Sequence, residues 1–259
     1  MANQLIISNI TILTIAAFFL GLDKGGFRNL SVICMYLMLN IIPSKQVIGI
    51  LAPIYLLGDI IPIYIYRNQI NYKAVFNFVP LAIIGIIITS FFASFIDDRL
   101  FTIFISFFLL LMVIMITIGE ITKIKDKSGR IEDKINKPLN KPFTLFLSLL
   151  SGITTVSNAA GAITCIYFFR QTKEKKEFVG STALFFFSLN ITKVIIFIFF
   201  WKNITFETLK ITLAMLPGLF LGILASIYLI KIIPQKIYNF VVILSVYYIA
   251  IMLFVNNII

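Results

Sequence analysis

Long apolar runs, each about twenty residues in length, constrain this chain more than any other feature of its sequence. About twenty apolar residues is the length that an α-helix needs to cross the hydrocarbon core of a bilayer. A membrane β-barrel would instead show segments of about ten residues with alternating polarity. The runs therefore predict an all-α, polytopic membrane protein. Uninterrupted runs cover residues 47–66, 74–96, 99–119, 178–200, 206–230 and 236–256.

Composition supports the same fold class and excludes several functions. Hydrophobic residues make up 60% of the chain and charged residues only 13%, which is too little polarity to cover a soluble domain. The net charge of +11 does not indicate nucleic acid, because the lysines lie in short loops between apolar runs, as in cytoplasmic loops of membrane proteins. The chain has no His, and its two cysteines lie in apolar runs. We therefore expect a lipid bilayer as the partner and no metal, cofactor or catalytic group.

Two further apolar regions, 5–42 and 143–169, are interrupted by polar residues. The first contains GLDKGGFRN and the second GITTVSNAAG. Between the two halves of the chain lies a polar, lysine-rich segment that two prolines close. We predict a first transmembrane repeat over 1–120, a cytoplasmic basic linker over 121–142 and a second transmembrane repeat over 143–259.

The two halves repeat each other in sequence. A shift of 131 residues superimposes several uncommon residues, including the only two cysteines, and the shift becomes 137 towards the end of each half. This coincidence predicts an internal duplication. The matched pairs are Gly21/Gly152, Cys34/Cys165, Tyr36/Tyr167, Lys45/Lys176, Gly49/Gly180, Asp59/Asn190, Pro80/Pro217, Gly85/Gly222 and Arg99/Lys236.

The distribution of basic residues predicts the topology. Segments 120–142 and 170–177 both carry several Lys or Arg, so both should be cytoplasmic. Both segments lie in the cytoplasm only if 143–169 is a hairpin that enters the membrane and returns to the same side. Each half is then a broken, re-entrant helix hairpin plus three transmembrane helices, and the odd number of crossings inverts the second half. The alternative is eight plain spans in a parallel arrangement.

Inverted repeats with broken helices are typical of secondary transporters, in which the binding site lies near mid-membrane where the breaks meet. Since the chain contains no GxxxxGK[ST] nucleotide-binding loop, energy must come from an ion gradient or from the substrate's own gradient.

Several motifs resemble one transporter family. The duplicated, broken first segment, PIYLLGD, YRNQINYKAV and GSTALFFFSLN together resemble the TauE/SafE sulfite exporter family, over about residues 5–256. The resemblance implies a permease for sulfite, sulfonates or other small sulfur or organic anions. The second break, TTVSNAAG, is poorer in glycine than is usual in that family.

The first break predicts half of an anion-binding site. Its glycines allow a tight, unwound turn. The half-helix after it should begin near residues 28–31 and point its free N–H groups into the turn, which suits an anion. The basic side chains add positive charge, and the Asp pairs with one of them. The alternative is a loop whose charges are merely solvated. The predicted substrate-binding residues here are Asp23, Lys24, Gly25, Gly26 and Arg28.

The second break supplies neutral hydroxyl and amide groups that can donate hydrogen bonds to an oxyanion. The predicted substrate-binding residues here are Thr154, Thr155, Ser157 and Asn158. The alternative is that these side chains satisfy the backbone of their own turn.

Three polar residues inside uninterrupted runs are predicted to take part in coupling. Asp59 and Asn190 occupy matching positions, and a carboxylate within a span is unfavourable unless it is paired or wet. Asp59 is a candidate proton carrier or a partner for a cation of the first break. Lys193 is a candidate for contact with Asp59 or with an anion. The alternatives place Asp59 in water near the interface and extend Lys193 to the interface.

These observations predict a secondary permease that moves a small anion such as sulfite or a sulfonate by alternating access, as a multi-pass protein of the cytoplasmic (inner) membrane. It is not expected to be an enzyme. The alternative is a membrane-embedded enzyme or accessory subunit acting on a lipid or sulfur compound. The sequence leaves open whether the protein forms a homo-oligomer and whether Cys34 and Cys165 take part, although packing is the simpler role for both.

Overall fold

The structure, a computed structural model, describes residues 2–25, 30–125, 140–158, 160–172 and 174–229. Within these residues the regular secondary structure is entirely helical, as predicted. A short 3₁₀ turn, Arg67–Gln69, follows the third helix. The helices are α1 (Ala2–Gly25), α2 (Ser31–Leu39), α3 (Ser44–Tyr66), α4 (Tyr72–Ala93), α5 (Asp98–Lys125), α6 (Lys141–Thr155), α7 (Gly161–Gln171), α8 (Lys175–Phe199) and α9 (Phe206–Leu229).

The helices confirm a polytopic membrane protein. Five described segments are long and apolar enough to cross a bilayer. Large apolar side chains such as Phe92, Phe199 and Phe206 are exposed on the outside of the bundle, where lipid would cover them. The five segments are 7–25, 44–69, 72–93, 176–199 and 206–226.

The helix before the first break differs in length from the helix before the second break. Helix α1 has 24 residues and contains a segment long enough for a crossing, whereas its counterpart α6 has only 15. At about 1.5 Å per residue, α6 is too short to cross the hydrocarbon core. The re-entrant hairpins and the inverted orientation of the halves stay predictions. Helix α5 runs to Lys125, past the predicted start of the linker, and both 126–139 and the predicted span 236–256 lie outside the described residues.

The order of helices repeats, and so does their packing. Helices α1–α4 correspond to α6–α9 under the sequence shift. Helix α1 packs on α9, and α4 packs on α6, so each broken first helix lies against the fourth helix of the other half. Helix α3 packs on its own counterpart, α8. This exchange of partners is what a twofold relation between the halves produces.

Matched glycines make the two exchanged helix contacts. A Cβ built on Gly21 would lie 2.8 Å from the Cα of Gly222, and one built on Gly222 would lie 2.9 Å from the Cα of Gly21. In the other pair of helices, a Cβ on Gly85 would lie 3.0 Å from the Cα of Gly152. Only glycine permits such close helix crossings. Gly85 and Gly222 therefore pack helices closely against each other.

The connections after α3 and α8 also exchange partners. The Asn203 side chain, after α8, donates a 2.6 Å hydrogen bond to the Lys45 carbonyl at the start of α3. The Asn71 side chain, after α3, donates a 2.9 Å bond to the Gln171 carbonyl, and its backbone N–H donates to the Ser181 hydroxyl of α8. These hydrogen bonds link the two halves to each other and hold α3 beside α8 at the centre of the bundle.

Candidate functional site

A cavity of about 100 Å³ lies where the end of α1, helices α3 and α8, and the break between α6 and α7 meet. Polar residues from both halves line it. The predicted site residues on its wall are Asp23, Lys24, Asp59, Thr155, Asn158, Asn190 and Lys193. The structure thus brings the first break, the second break and the two central spans together.

A buried ion pair forms one wall of the cavity. The Lys24 Nζ lies 2.5 Å from Asp59 Oδ1, and the Asn190 side-chain amide donates a 2.7 Å hydrogen bond to Asp59 Oδ2. Asp59 is only 2% exposed, so the alternative that placed it in water is wrong. Both carboxylate oxygens are therefore satisfied by donors from separate helices, α1 and α8. This meets the requirement that a charge within a span be paired.

Lys193 forms another part of the wall. Its Nζ donates to Asn158 Oδ1 at 3.1 Å and to the Thr155 carbonyl at 3.3 Å. The residue is 3% exposed, so extension of its side chain to the interface is wrong. Among the residues described, no carboxylate lies within ion-pair distance of this ammonium. The hydrogen-bond partners of the buried Lys193 side chain are therefore neutral oxygens.

Two aromatic rings that the sequence analysis did not single out stand beside the ammonium groups. The Tyr55 ring centroid lies 4.9 Å from Lys24 Nζ and 5.4 Å from Lys193 Nζ, and the Phe186 centroid lies 5.8 Å from Lys24 Nζ. Rings at these distances attract cations. The sequence contained this information, because Tyr55 and Phe186 match under the same shift of 131. Tyr55 lies one helical turn before Asp59, and Phe186 lies one helical turn before Asn190.

The first break contributes two side chains to the cavity. Helix α2 begins at Ser31, within the predicted range, and the Ser31 N–H donates to Asp23 Oδ1 at 3.3 Å. A carboxylate of the chain itself therefore lies at this helix N-terminus. Gly25 is not on the cavity wall; it packs closely against Ser226 of α9. The predicted site residues Gly26 and Arg28 lie outside the described residues.

In the second break, the four predicted residues divide into two groups. Thr155 and Asn158 are on the cavity wall, whereas Thr154 and Ser157 are not. The Thr154 hydroxyl donates to the Leu150 carbonyl at 2.9 Å, and the Ser157 hydroxyl donates to the Thr154 carbonyl at 2.8 Å. These two hydroxyls satisfy backbone groups of their own turn, as the alternative interpretation expected of the set. Contact of any of the four with substrate stays a prediction.

The backbone of Asn158 explains how a glycine-poor break makes its turn. Its φ is 57°, in the left-handed region that favours glycine and is also accessible to asparagine. Asn158 therefore does what glycine would do for the backbone, and it also supplies a side-chain oxygen to Lys193.

Cys34 is buried and free, as a packing residue would be, and the side chain of Cys165 is not described. Within the described ranges, no group of three or more His, Cys, Asp or Glu is arranged to hold a metal ion. The chemistry that the wall offers is thus the binding of charged or hydrogen-bonding groups by Lys, Asn and Asp side chains.

Comparison with known proteins gives one match. The profile of the family described as sulfite exporter TauE/SafE matches residues 10–253, nearly the whole chain. No curated protein and no solved structure matches the chain significantly.

Proposed function

The chain belongs to the sulfite exporter TauE/SafE family, and on that premise we propose that it is a secondary permease that carries a small anion, such as sulfite or a sulfonate, across the cytoplasmic membrane by alternating access. The family is one of membrane transporters, and the described helices make this chain a multi-pass membrane protein. The substrate, the mechanism and the choice of membrane are our proposal.

The observation that carries the proposal is the buried ammonium of Lys193. An ion taken out of water into a low-dielectric interior loses several kcal/mol of solvation unless a counter-charge replaces the water. Neutral oxygens of Asn158 and Thr155 supply only part of that replacement. A small anion in the adjoining cavity would supply the rest. Because the nearby Asp59 carboxylate is paired with Lys24, we expect Lys193 to attract an anion rather than a cation into the cavity.

The distribution of the site over both halves supports alternating access. Lys24 and Asp59 come from the first half, whereas Asn158, Asn190 and Lys193 come from the second. A movement of the helices on one side of the site relative to those on the other would open it towards one side of the membrane and then towards the other. The close glycine crossings hold α1 against α9 and α4 against α6, so we expect each of these pairs to move as a unit and the movement to take place across α3 and α8.

Counterflow in proteoliposomes tests the proposal. The panel contains sulfite, methanesulfonate, thiosulfate and acetate, with choline as a cationic solute. We expect exchange of one or more of the anions and no exchange of choline. Lys193→Met, which keeps the length of the side chain and removes its charge, should abolish the exchange while the protein stays folded and monodisperse.

The matched control is Lys210→Met. Lys210 is partly exposed, pairs with Glu207 one turn away, and lies outside the cavity. Its replacement should leave the exchange unchanged. Exchange of none of the anions by the wild-type protein, or full exchange by Lys193→Met, would contradict the proposed function.

A further inference from the structure

The Asp59 carboxylate is bound in the way that a transporter would bind an oxyanion. One oxygen accepts from the Lys24 ammonium at 2.5 Å and the other from the Asn190 amide at 2.7 Å. The donors come from opposite halves of the molecule. Side chains of this kind, one cationic and one amide, are those with which proteins hold free carboxylates and other oxyanions.

The position of this carboxylate is also the position that a substrate would need. Asp59, Lys24 and Asn190 all lie on the wall of the cavity, and Lys193 faces the same space. The Lys24 stem crosses α3 at Gly58, where an added Cβ would lie 3.0 Å from Lys24 Cγ. The absence of a side chain at Gly58 therefore lets the ammonium reach the centre of the site.

From this arrangement we infer that Asp59 is an internal counter-anion: its carboxylate occupies the anion subsite formed by Lys24 and Asn190, and a substrate anion binds by displacing it. The inference rests on the proposed function and says which atoms of the site receive the substrate. Asp59 is thus a competitor of the substrate and not one of its ligands.

Displacement of the Asp59 carboxylate by a substrate anion breaks contacts between helices. The Lys24–Asp59 pair ties the end of α1 to α3, and the Asn190–Asp59 bond ties α3 to α8. When an anion takes over the Lys24 and Asn190 donors, both ties to α3 are released together. Binding of substrate therefore removes two of the contacts that hold α3 to its neighbours, and alternating access requires that such contacts be released.

The test is to replace Asp59 by the neutral isostere in Asp59→Asn and to measure sulfite and methanesulfonate binding to the detergent-solubilised protein. Thermal unfolding is followed with increasing anion concentration, and dissociation constants are measured by calorimetry. Without anion, Asp59→Asn should melt at a lower temperature than wild type, because Lys24 loses its counter-charge. Asp59→Asn should also bind the anion at least tenfold more tightly than wild type does, and added anion should stabilise it by a larger amount. Asp59→Ser, which is smaller, provides a second variant if the first does not fold.

Asp97→Asn is the matched control, since Asp97 is exposed at the start of α5 and lies outside the cavity. Its anion affinity should equal that of wild type. If Asp59 were a ligand or only a structural partner of Lys24, Asp59→Asn would bind anion equally or more weakly, and this result would overturn the inference while leaving the proposed function standing. If neither wild type nor the variants bind or transport any anion of the panel, the proposed function fails and the inference with it.

Discussion

Asp59 and Asn190 are hydrogen-bonded to each other at 2.7 Å, although 131 residues separate them in the chain. That separation equals the shift that superimposes the two halves, so each residue contacts its own counterpart. Residues next to the axis of a twofold relation between the halves would make such a contact. Two ionised aspartates at this point would repel each other within the bundle, whereas an Asp and an Asn form a hydrogen bond. The difference between the two halves at this pair therefore favours their contact.

A charge exchange tests this relationship. Asn190→Asp alone places a second carboxylate against Asp59, and we expect the free energy of unfolding to fall by about 2 kcal/mol or more, because one acid must lose its charge or face another. The double variant Asp59→Asn/Asn190→Asp should recover most of that loss, since the charge moves only to the counterpart position. Fluorescence of Trp201, the only tryptophan, reports thermal unfolding in detergent. Asn68→Asp, at an exposed position, is the control and should change stability by less than about 0.5 kcal/mol. A double variant no more stable than Asn190→Asp would contradict the predicted contact.

The matched glycine crossings should respond equally to substitution. Gly222→Ala and Gly85→Ala each force a Cβ against the backbone of the opposing helix, and we expect each to destabilise the protein by roughly 1–3 kcal/mol despite the better helix propensity of alanine. Thermal unfolding measures the effect. Leu224→Ala, on the exposed side of α9, should have a much smaller effect. Unchanged stability in either glycine variant would show that the helices do not approach each other so closely.

The second break offers a contrast between side chains on and off the cavity wall. Asn158→Gly keeps the left-handed backbone but removes the oxygen that Lys193 contacts, and we expect anion exchange to fall at least tenfold, a change of about 1.4 kcal/mol or more. Thr154→Val removes a hydroxyl that bonds only within its own helix, so exchange should stay within about twofold of wild type. Initial rates of counterflow measure both. Loss of exchange in Thr154→Val with full exchange in Asn158→Gly would reverse the assignment of the two side chains.

The predicted topology can be tested with single cysteines. In a background of Cys34→Ala/Cys165→Ala, a membrane-impermeant maleimide should label Thr172→Cys only from the cytoplasm and Thr205→Cys only from outside. These results follow if 143–169 is a re-entrant hairpin and the basic segment 170–177 stays inside. Eight plain spans would give the opposite sides for both positions. Labelling of intact cells and of inverted vesicles distinguishes the two arrangements.

Residue matching between the halves and the polar breaks were enough to select several of the residues that line the cavity. The 131-residue shift paired Asp59 with Asn190, and the polar breaks indicated Lys24 and Asn158. The same shift would have identified Tyr55 and Phe186, which lie one turn before the central pair. Partner choice was only partly predictable: the sequence offered both Asp23 and Asp59 as partners for a cation of the first break, and in the structure Lys24 pairs with Asp59 from another helix. Nothing local distinguishes the two carboxylates, since the choice depends on which of them the packing of α1 against α3 brings within reach.

The sequence by itself determined that the chain is a helical membrane protein, because the length and polarity of each run decide whether a segment can lie in lipid. Only the tertiary structure decided that Thr155 and Asn158 line the cavity while Thr154 and Ser157 do not, and that Lys193 remains buried among neutral oxygens. The physical reason is that insertion into a bilayer depends on the summed hydrophobicity of a segment, and that sum can be read from the sequence. The contacts of a single side chain depend on how helices from different halves cross, and that geometry is set by close packing over the whole molecule.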